Sequence, residues 1–78
     1  MHVDDPKYLT ELANAVEAKL SNPNVERTAM QRVHAMAGLT KARVLASGKQ
    51  TGGDREKILQ DMADNFIEAG NVDMPSNP

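Results

Sequence analysis

The sequence contains no cysteine and no tryptophan, and it has only one phenylalanine and one tyrosine among its 78 residues. The missing cysteines exclude a disulfide framework and any thiolate zinc site. Aromatic side chains supply much of the apolar area in small cores, so a core built from Leu, Val, Met and Ala is thin. A domain of this size buries only about 60% of the surface that its unfolded chain exposes. We therefore expect a second chain or a partner to complete the core.

The sequence also lacks any apolar run near the roughly 18–20 residues that a transmembrane helix needs. Its first six residues, MHVDDP, contain no apolar stretch of the kind found in a secretory signal. We therefore expect a cytoplasmic protein without membrane contact. The net charge of −2 gives no overall attraction to nucleic acid. Acidic residues are nevertheless absent from residues 27 to 53, which carry Arg27, Arg32, Lys41, Arg43 and Lys49.

Apolar residues recur at helical spacing, and the alternation typical of strands is missing. This pattern predicts an all-α domain over residues 1–70, with helices over 5–21, 23–47 and 54–69, followed by a disordered tail over 71–78. Asp5 and Pro6 indicate the start of the first helix. The Asp5 carboxylate can accept hydrogen bonds from free backbone N–H groups, and Pro6 loses no helical hydrogen bond there. The predicted core positions of the first and third helices are Tyr8, Leu9, Leu12, Val16, Leu20, Ile58, Leu59, Met62, Ala63, Phe66 and Ile67.

The second helix has two candidate contact surfaces. Its larger apolar residues predict the core face, which comprises Val25, Ala29, Met30, Val33, Met36, Ala37 and Val44. A strip of small residues predicts close contact with another helix or with a second copy, and it comprises Ala35, Gly38, Ala42 and Ala46. Gly38 is either an interior glycine or a break between two helices.

The predicted length of the second helix favours a dimer. Residues 23–47 as one helix would extend about 36 Å, at 1.5 Å per residue. Two shorter helices cannot cover such a helix on every side, whereas a symmetric second copy can cover the remainder. We therefore predict a three-helix bundle or an open helical hairpin that is completed by homodimerisation.

Basic residues on the second helix predict a protein partner. Arg27, His34 and Lys41 follow one another at intervals of seven residues, and Arg32 and Arg43 lie on another edge. Opposite charges between neighbouring surfaces set orientation and partner choice. We expect these five residues to bind an acidic surface. The predicted function is a non-catalytic protein–protein interaction module, such as a small adaptor, inhibitor or regulatory subunit, that acts as a helical dimer.

Nucleic-acid binding is the alternative. Residues 36–43 resemble the helix–turn–helix of repressors, with Gly38 in the turn and Thr40 as the cap of a second helix carrying Lys41 and Arg43. His34 stands where that family packs a small residue, and Ser47 stands where it places an apolar residue. The resemblance implies a degenerate helix–turn–helix that contacts DNA through the basic segment 27–49.

An enzyme is not expected. His2 and His34 are the only histidines, and no cluster of His, Asp and Glu has the spacing of metal ligands. Serines and threonines occupy predicted caps and loops, so no pair of nucleophile and base can be assigned. We therefore predict no catalytic residues, no metal and no cofactor.

Overall fold

A computed structural model describes residues 5–70 of the protein, and within them it contains three helices and no strand. The helices are α1 (Pro6–Ser21), α2 (Ala29–Ala46) and α3 (Gly52–Glu68). The all-α prediction is confirmed. The tail over 71–78, which we predicted to be disordered, lies outside the described residues.

Side-chain caps determine where α1 and α2 begin. The Asp5 carboxylate accepts a hydrogen bond from the backbone N–H of Lys7 at 2.9 Å, so α1 starts where Asp5 and Pro6 predict. The predicted start of the second helix at residue 23 is wrong. Thr28 and Gln31 form a capping box, in which Thr28 Oγ1 accepts from the Gln31 N–H at 3.1 Å and Gln31 Oε1 accepts from the Thr28 N–H at 2.9 Å. Residues 22–28 therefore form a connection, and α2 is about 27 Å long.

α2 is the central helix. Both α1 and α3 pack against it, whereas no Cα atom of α1 lies within 8 Å of a Cα atom of α3. The core contains all but one of the positions predicted for α1, since Leu20 is only half-buried at its edge. On α3, Met62 and Phe66 are buried, but Ile67 is 61% exposed, so its predicted place in the core is wrong.

The predicted core face of α2 is also wrong. Met30, Val33 and Met36 are 64%, 58% and 57% exposed. The helix instead turns a second set of residues toward α1 and α3, which we call the back face: Ala35, Gly38, Leu39, Ala42 and Leu45. Small residues occupy this face because α1 and α3 both approach α2 on the same side. A β-carbon on Gly38 would lie only 2.7 Å from Cε1 of Phe66, so the α3 ring occupies the space that a larger residue would need.

Candidate interaction surface on α2

The side of α2 opposite the back face carries a row of exposed residues, most of them apolar. At about 100° per residue, these residues share an arc about 80° wide. We call this row the front stripe, and it consists of Met30, Val33, Ala37, Thr40 and Val44. Ala37 is half-buried, and the other four are exposed. Met36, which is also exposed, lies beside the stripe.

The single polar residue of the front stripe is compatible with an apolar contact. Thr40 Oγ1 donates a hydrogen bond to the carbonyl oxygen of Met36 at 3.0 Å. The hydroxyl therefore has a partner within its own helix, and covering it would not leave an unmade hydrogen bond. The front stripe can consequently be covered by another surface along its whole length.

Basic residues lie along both edges of the front stripe. On the edge toward α3, Lys41 Nζ donates to Asn65 Oδ1 at 2.7 Å, and His34 is half-buried on the same edge. On the edge toward α1, Arg43 Nη2 lies 3.1 Å from Glu17 Oε1. Each edge is thus tied to the neighbouring helix by a polar contact.

Three arginines bind backbone carbonyl groups at the ends of the three helices. Arg32 Nη2 donates to the Leu20 carbonyl at the end of α1 at 3.1 Å, and Arg55 Nη1 donates to the Leu45 carbonyl at the end of α2 at 3.2 Å. Arg27 Nη1 donates to the Ala69 carbonyl after α3 at 3.0 Å. The last carbonyls of a helix carry partial negative charge, so a guanidinium stabilises them, and the Leu45 carbonyl also accepts from the Gly48 N–H at 3.1 Å.

The residues predicted to bind an acidic partner therefore do not form one surface. Arg32 and Arg43 face α1, His34 and Lys41 face α3, and Arg27 lies in the connection before α2. Polar contacts of 2.7–3.1 Å within the chain engage Arg27, Arg32, Lys41 and Arg43. In the sequence these cations appear only as surface charges, and their contacts with helix ends depend on the tertiary arrangement. The partial negative charge of the carbonyls at each helix end is the signal that could have indicated these contacts.

The strip of small residues lies inside the chain. Ala35 and Ala42 have no exposed surface, and Ala46 is partly buried against the core. Gly38 contacts the ring of Phe66. These four positions therefore contact helices of the same chain. Ala35 and Ala42 are inaccessible to a second copy.

The helix–turn–helix interpretation is wrong. α2 continues without interruption from Ala29 to Ala46, so Gly38 is an interior glycine and Thr40 caps no second helix. Thr40 Oγ1 bonds the carbonyl four residues earlier, as a residue within a helix can. Lys41 and Arg43 consequently lie on the same helix as Met36, on opposite edges of the front stripe.

Two further polar features among the described residues are a groove beside Arg27 and the buried hydroxyl of Tyr8. A groove of about 370 Å³ lies between the connection before α2 and the end of α3, and Arg27 at its wall is bound to the Ala69 carbonyl. Tyr8 Oη is buried without a partner among the described residues, and this burial raises the pKa of the phenol. The Tyr8 hydroxyl is therefore protonated at neutral pH and is not an anionic nucleophile.

Comparison with protein-family models found no match, and comparisons with curated proteins and with solved structures found no significant similarity. Across residues 5–70, no group of three or more His, Cys, Asp or Glu side chains is placed to hold a metal ion. None of the helices described is both long enough and apolar enough to cross a bilayer.

Proposed function

We propose that the chain is a non-catalytic protein–protein interaction module, a small adaptor, inhibitor or regulatory subunit, that acts as a helical dimer. One observation carries the proposal: the front stripe of the central helix exposes a row of apolar side chains opposite the core. Isolated exposed apolar residues are ordinary on protein surfaces. A row of exposed apolar side chains along one helix face, interrupted here by Thr40, favours a surface that another protein covers.

The proposed dimer has to use the front stripe. Three of the four small residues that we first considered for this contact, Ala35, Gly38 and Ala42, are buried within the chain, so they offer no surface to a second copy. Among the described residues, the other large apolar side chains that are strongly exposed are Met36, which lies beside the front stripe, and Ile67 on α3.

Site-specific photo-crosslinking tests the interaction module. A photoreactive residue at Val33 is expected to give discrete covalent species in an extract of the source cells, either with a second copy or with another protein. The matched control is the same residue at Ile67, which is similarly exposed but lies on α3. Equal or diffuse crosslinking from the two positions would contradict the proposal.

Nucleic-acid binding is the second candidate, and the acid-free segment 27–53 favours it. Phosphate binding by Lys and Arg weakens steeply as salt rises. Titration with a labelled random duplex at about 50 mM and 200 mM salt distinguishes the candidates. We expect no salt-dependent binding. Binding that falls with salt and is lost in Lys41→Glu combined with Arg43→Glu would favour the alternative and contradict our proposal.

A further inference from the structure

We propose that the groove beside Arg27, which we call the Arg27 groove, binds an extended segment with apolar and acidic side chains, and that its occupant is this chain's own residues 71–78. The proposal goes beyond the interaction module and does not depend on the front stripe. The groove has a volume of about 370 Å³ and lies where the end of α1, the connection before α2 and the end of α3 meet. The lining residues that matter here are Lys19, Val25, Arg27, Gln31, Ala69 and Gly70.

Contacts within the chain fix the walls of the Arg27 groove. Arg27 Nη1 donates to the Ala69 carbonyl at 3.0 Å and so joins the connection to the end of α3. Gln31 Oε1 accepts from the Thr28 N–H at 2.9 Å, which holds the Gln31 side chain at the start of α2. Because these bonds exist already, a segment that enters the groove does not have to reorganise the fold.

The chain leaves the described fold at the groove itself. Gly70 lines the groove and is the last described residue, and its φ of +102° turns the chain out of the direction of α3. A β-carbon at Gly70 would lie 3.5 Å from Gln31 Nε2, so an amide donor stands where residue 71 begins. Residues 71–78 can extend about 28 Å at most, which is ample to reach along the groove. A segment tethered this closely has an effective concentration in the millimolar range, so weak binding is enough to keep it in place.

The sequence of residues 71–78 has the chemistry that the groove favours. NVDMPSNP contains the apolar residues Val72, Met74 and Pro75, the acid Asp73 and no basic residue. In an extended chain, Val72 and Met74 point to one side and Asp73 to the other. A site of about 300–1,000 Å³ buries a small ligand, so the groove has room for residues 72–74 and not for the whole segment.

The lining of the groove complements these three residues. The half-buried Val25 and the end of α3 at Ala69 supply apolar surface. Lys19 and Arg27 supply two cations, whereas Glu26, an acid in the lining, is exposed. A guanidinium has five N–H donors, so Arg27 can bind the Ala69 carbonyl and a carboxylate together. The excess of positive charge among the described lining residues therefore favours Asp73.

Occupation of the groove links the two outer helices. No Cα atom of α1 lies within 8 Å of a Cα atom of α3, and both helices pack on α2. A segment that follows α3 and contacts Lys19 adds a connection between the end of α1 and the end of α3. Residues 71–78 thus act as a tethered ligand that stabilises the arrangement of both helices.

NMR backbone relaxation of the full chain tests the proposal. Order parameters of residues 72–74 are expected to lie above about 0.6, the level below which a backbone is flexible. Val72→Ser combined with Met74→Ser removes the apolar contacts, so it is expected to lower these order parameters below about 0.6 and to shift the amide signals of Val25 and Gln31. The matched control is Ser76→Ala combined with Asn77→Ala, which lies beyond residues 72–74 and is expected to change neither quantity.

Charge reversal tests the pairing of Asp73 with the groove. Asp73→Lys is expected to release the segment, with the same loss of order as the apolar variant. Addition of Lys19→Glu gives the described lining residues an excess of negative charge and is expected to restore the order of residues 72–74. The circular dichroism of each variant shows whether the three helices are intact.

Order parameters below about 0.6 in the wild type, or equal effects of the apolar variant and its control, would overturn the proposal. So would amide shifts centred on Met30, Val33 and Ala37, since the segment would then lie on the front stripe. Failure of Lys19→Glu to restore order would overturn the assignment of the segment to this groove. The crosslinking experiment at Val33 is independent of these results, so the interaction module stands or falls separately.

Discussion

The two faces of α2 are both largely apolar, although one is buried and the other is exposed. The buried back face combines alanine and glycine with Leu39 and Leu45, while the exposed side carries two methionines and two valines. Two helices pack on the back face, and Gly38 leaves room for the ring of Phe66. Close packing by neighbours, and not the hydrophobicity of each residue alone, therefore decides which face of a central helix is buried.

Gly38→Ala is expected to have the largest effect, because it adds volume to the back face. The new β-carbon would lie 2.7 Å from Phe66 Cε1, and Phe66 is fully buried. Overpacking costs more than the improved helix propensity returns, so we expect a net loss of about 1–2 kcal/mol in the free energy of unfolding. Urea denaturation measures it. Gly53→Ala is the control, since its β-carbon meets nothing within 4 Å and should stabilise slightly.

Stabilisation by Gly38→Ala, of the same size as that by Gly53→Ala, would show that the back face is not tightly packed. The comparison between the two faces would then fail.

Arg27→Met tests whether Arg27 stabilises the fold or is only a surface charge. Arg27 bonds the Ala69 carbonyl at 3.0 Å and so helps to hold the end of α3 beside the start of α2. We expect a loss of about 1 kcal/mol in the free energy of unfolding, because the guanidinium is replaced by an apolar group. Lys49→Met is the control, since Lys49 is exposed after α2. Thermal melts that give equal stability for the two variants would refute the structural role.

Tyr8→Phe tests how burial of the Tyr8 hydroxyl affects the stability of the fold at high pH. Burial raises the pKa of Tyr8 in the folded chain, so the unfolded chain releases this proton first as the pH rises. The stability linked to this group is fully present below the unfolded pKa of about 10 and is lost as the pH rises through the folded pKa. We expect the variant to lose less stability than the wild type between pH 9 and 11, by under about 1 kcal/mol. Parallel alkaline melting curves for the two chains would contradict this.

Met36→Gln is expected to have the smallest effect. Met36 is 57% exposed beside the front stripe, so a polar replacement of similar length should change the free energy of unfolding by no more than about 0.5 kcal/mol. Chemical denaturation at a concentration where the chain is monomeric measures this. A loss above about 1 kcal/mol would mean that Met36 is buried within the monomer, as we first predicted.

Local signals in the sequence predict some helix limits well. Asp5 and Pro6 correctly indicate the start of α1. Thr28 and Gln31 have the spacing of a capping box and mark the true start of α2, whereas the predicted helix begins at Pro23. Proline at that position is compatible with a helix start and with a turn, whereas the reciprocal hydrogen bonds of a capping box are specific to a helix.

The orientation of α2 could not be obtained from apolar periodicity. Ala35 is buried and Met36 is exposed, although they are neighbours and Met is the larger apolar residue. Both faces of the helix have helical spacing, so the choice depends on where α1 and α3 lie. The contacts of Arg27 and Arg32 with distant carbonyls depend on the same tertiary arrangement. The front stripe could be recognised as a surface only after the back face was known.

The separation between α1 and α3 has a consequence for local opening. Their Cα atoms do not come within 8 Å of one another, and each packs on α2. Either outer helix can therefore leave α2 while most contacts of the other are kept, and amide hydrogen exchange would then report two opening events with separate free energies. Departure of either helix uncovers part of the alanine-rich back face, which would give the chain a second, transient apolar surface.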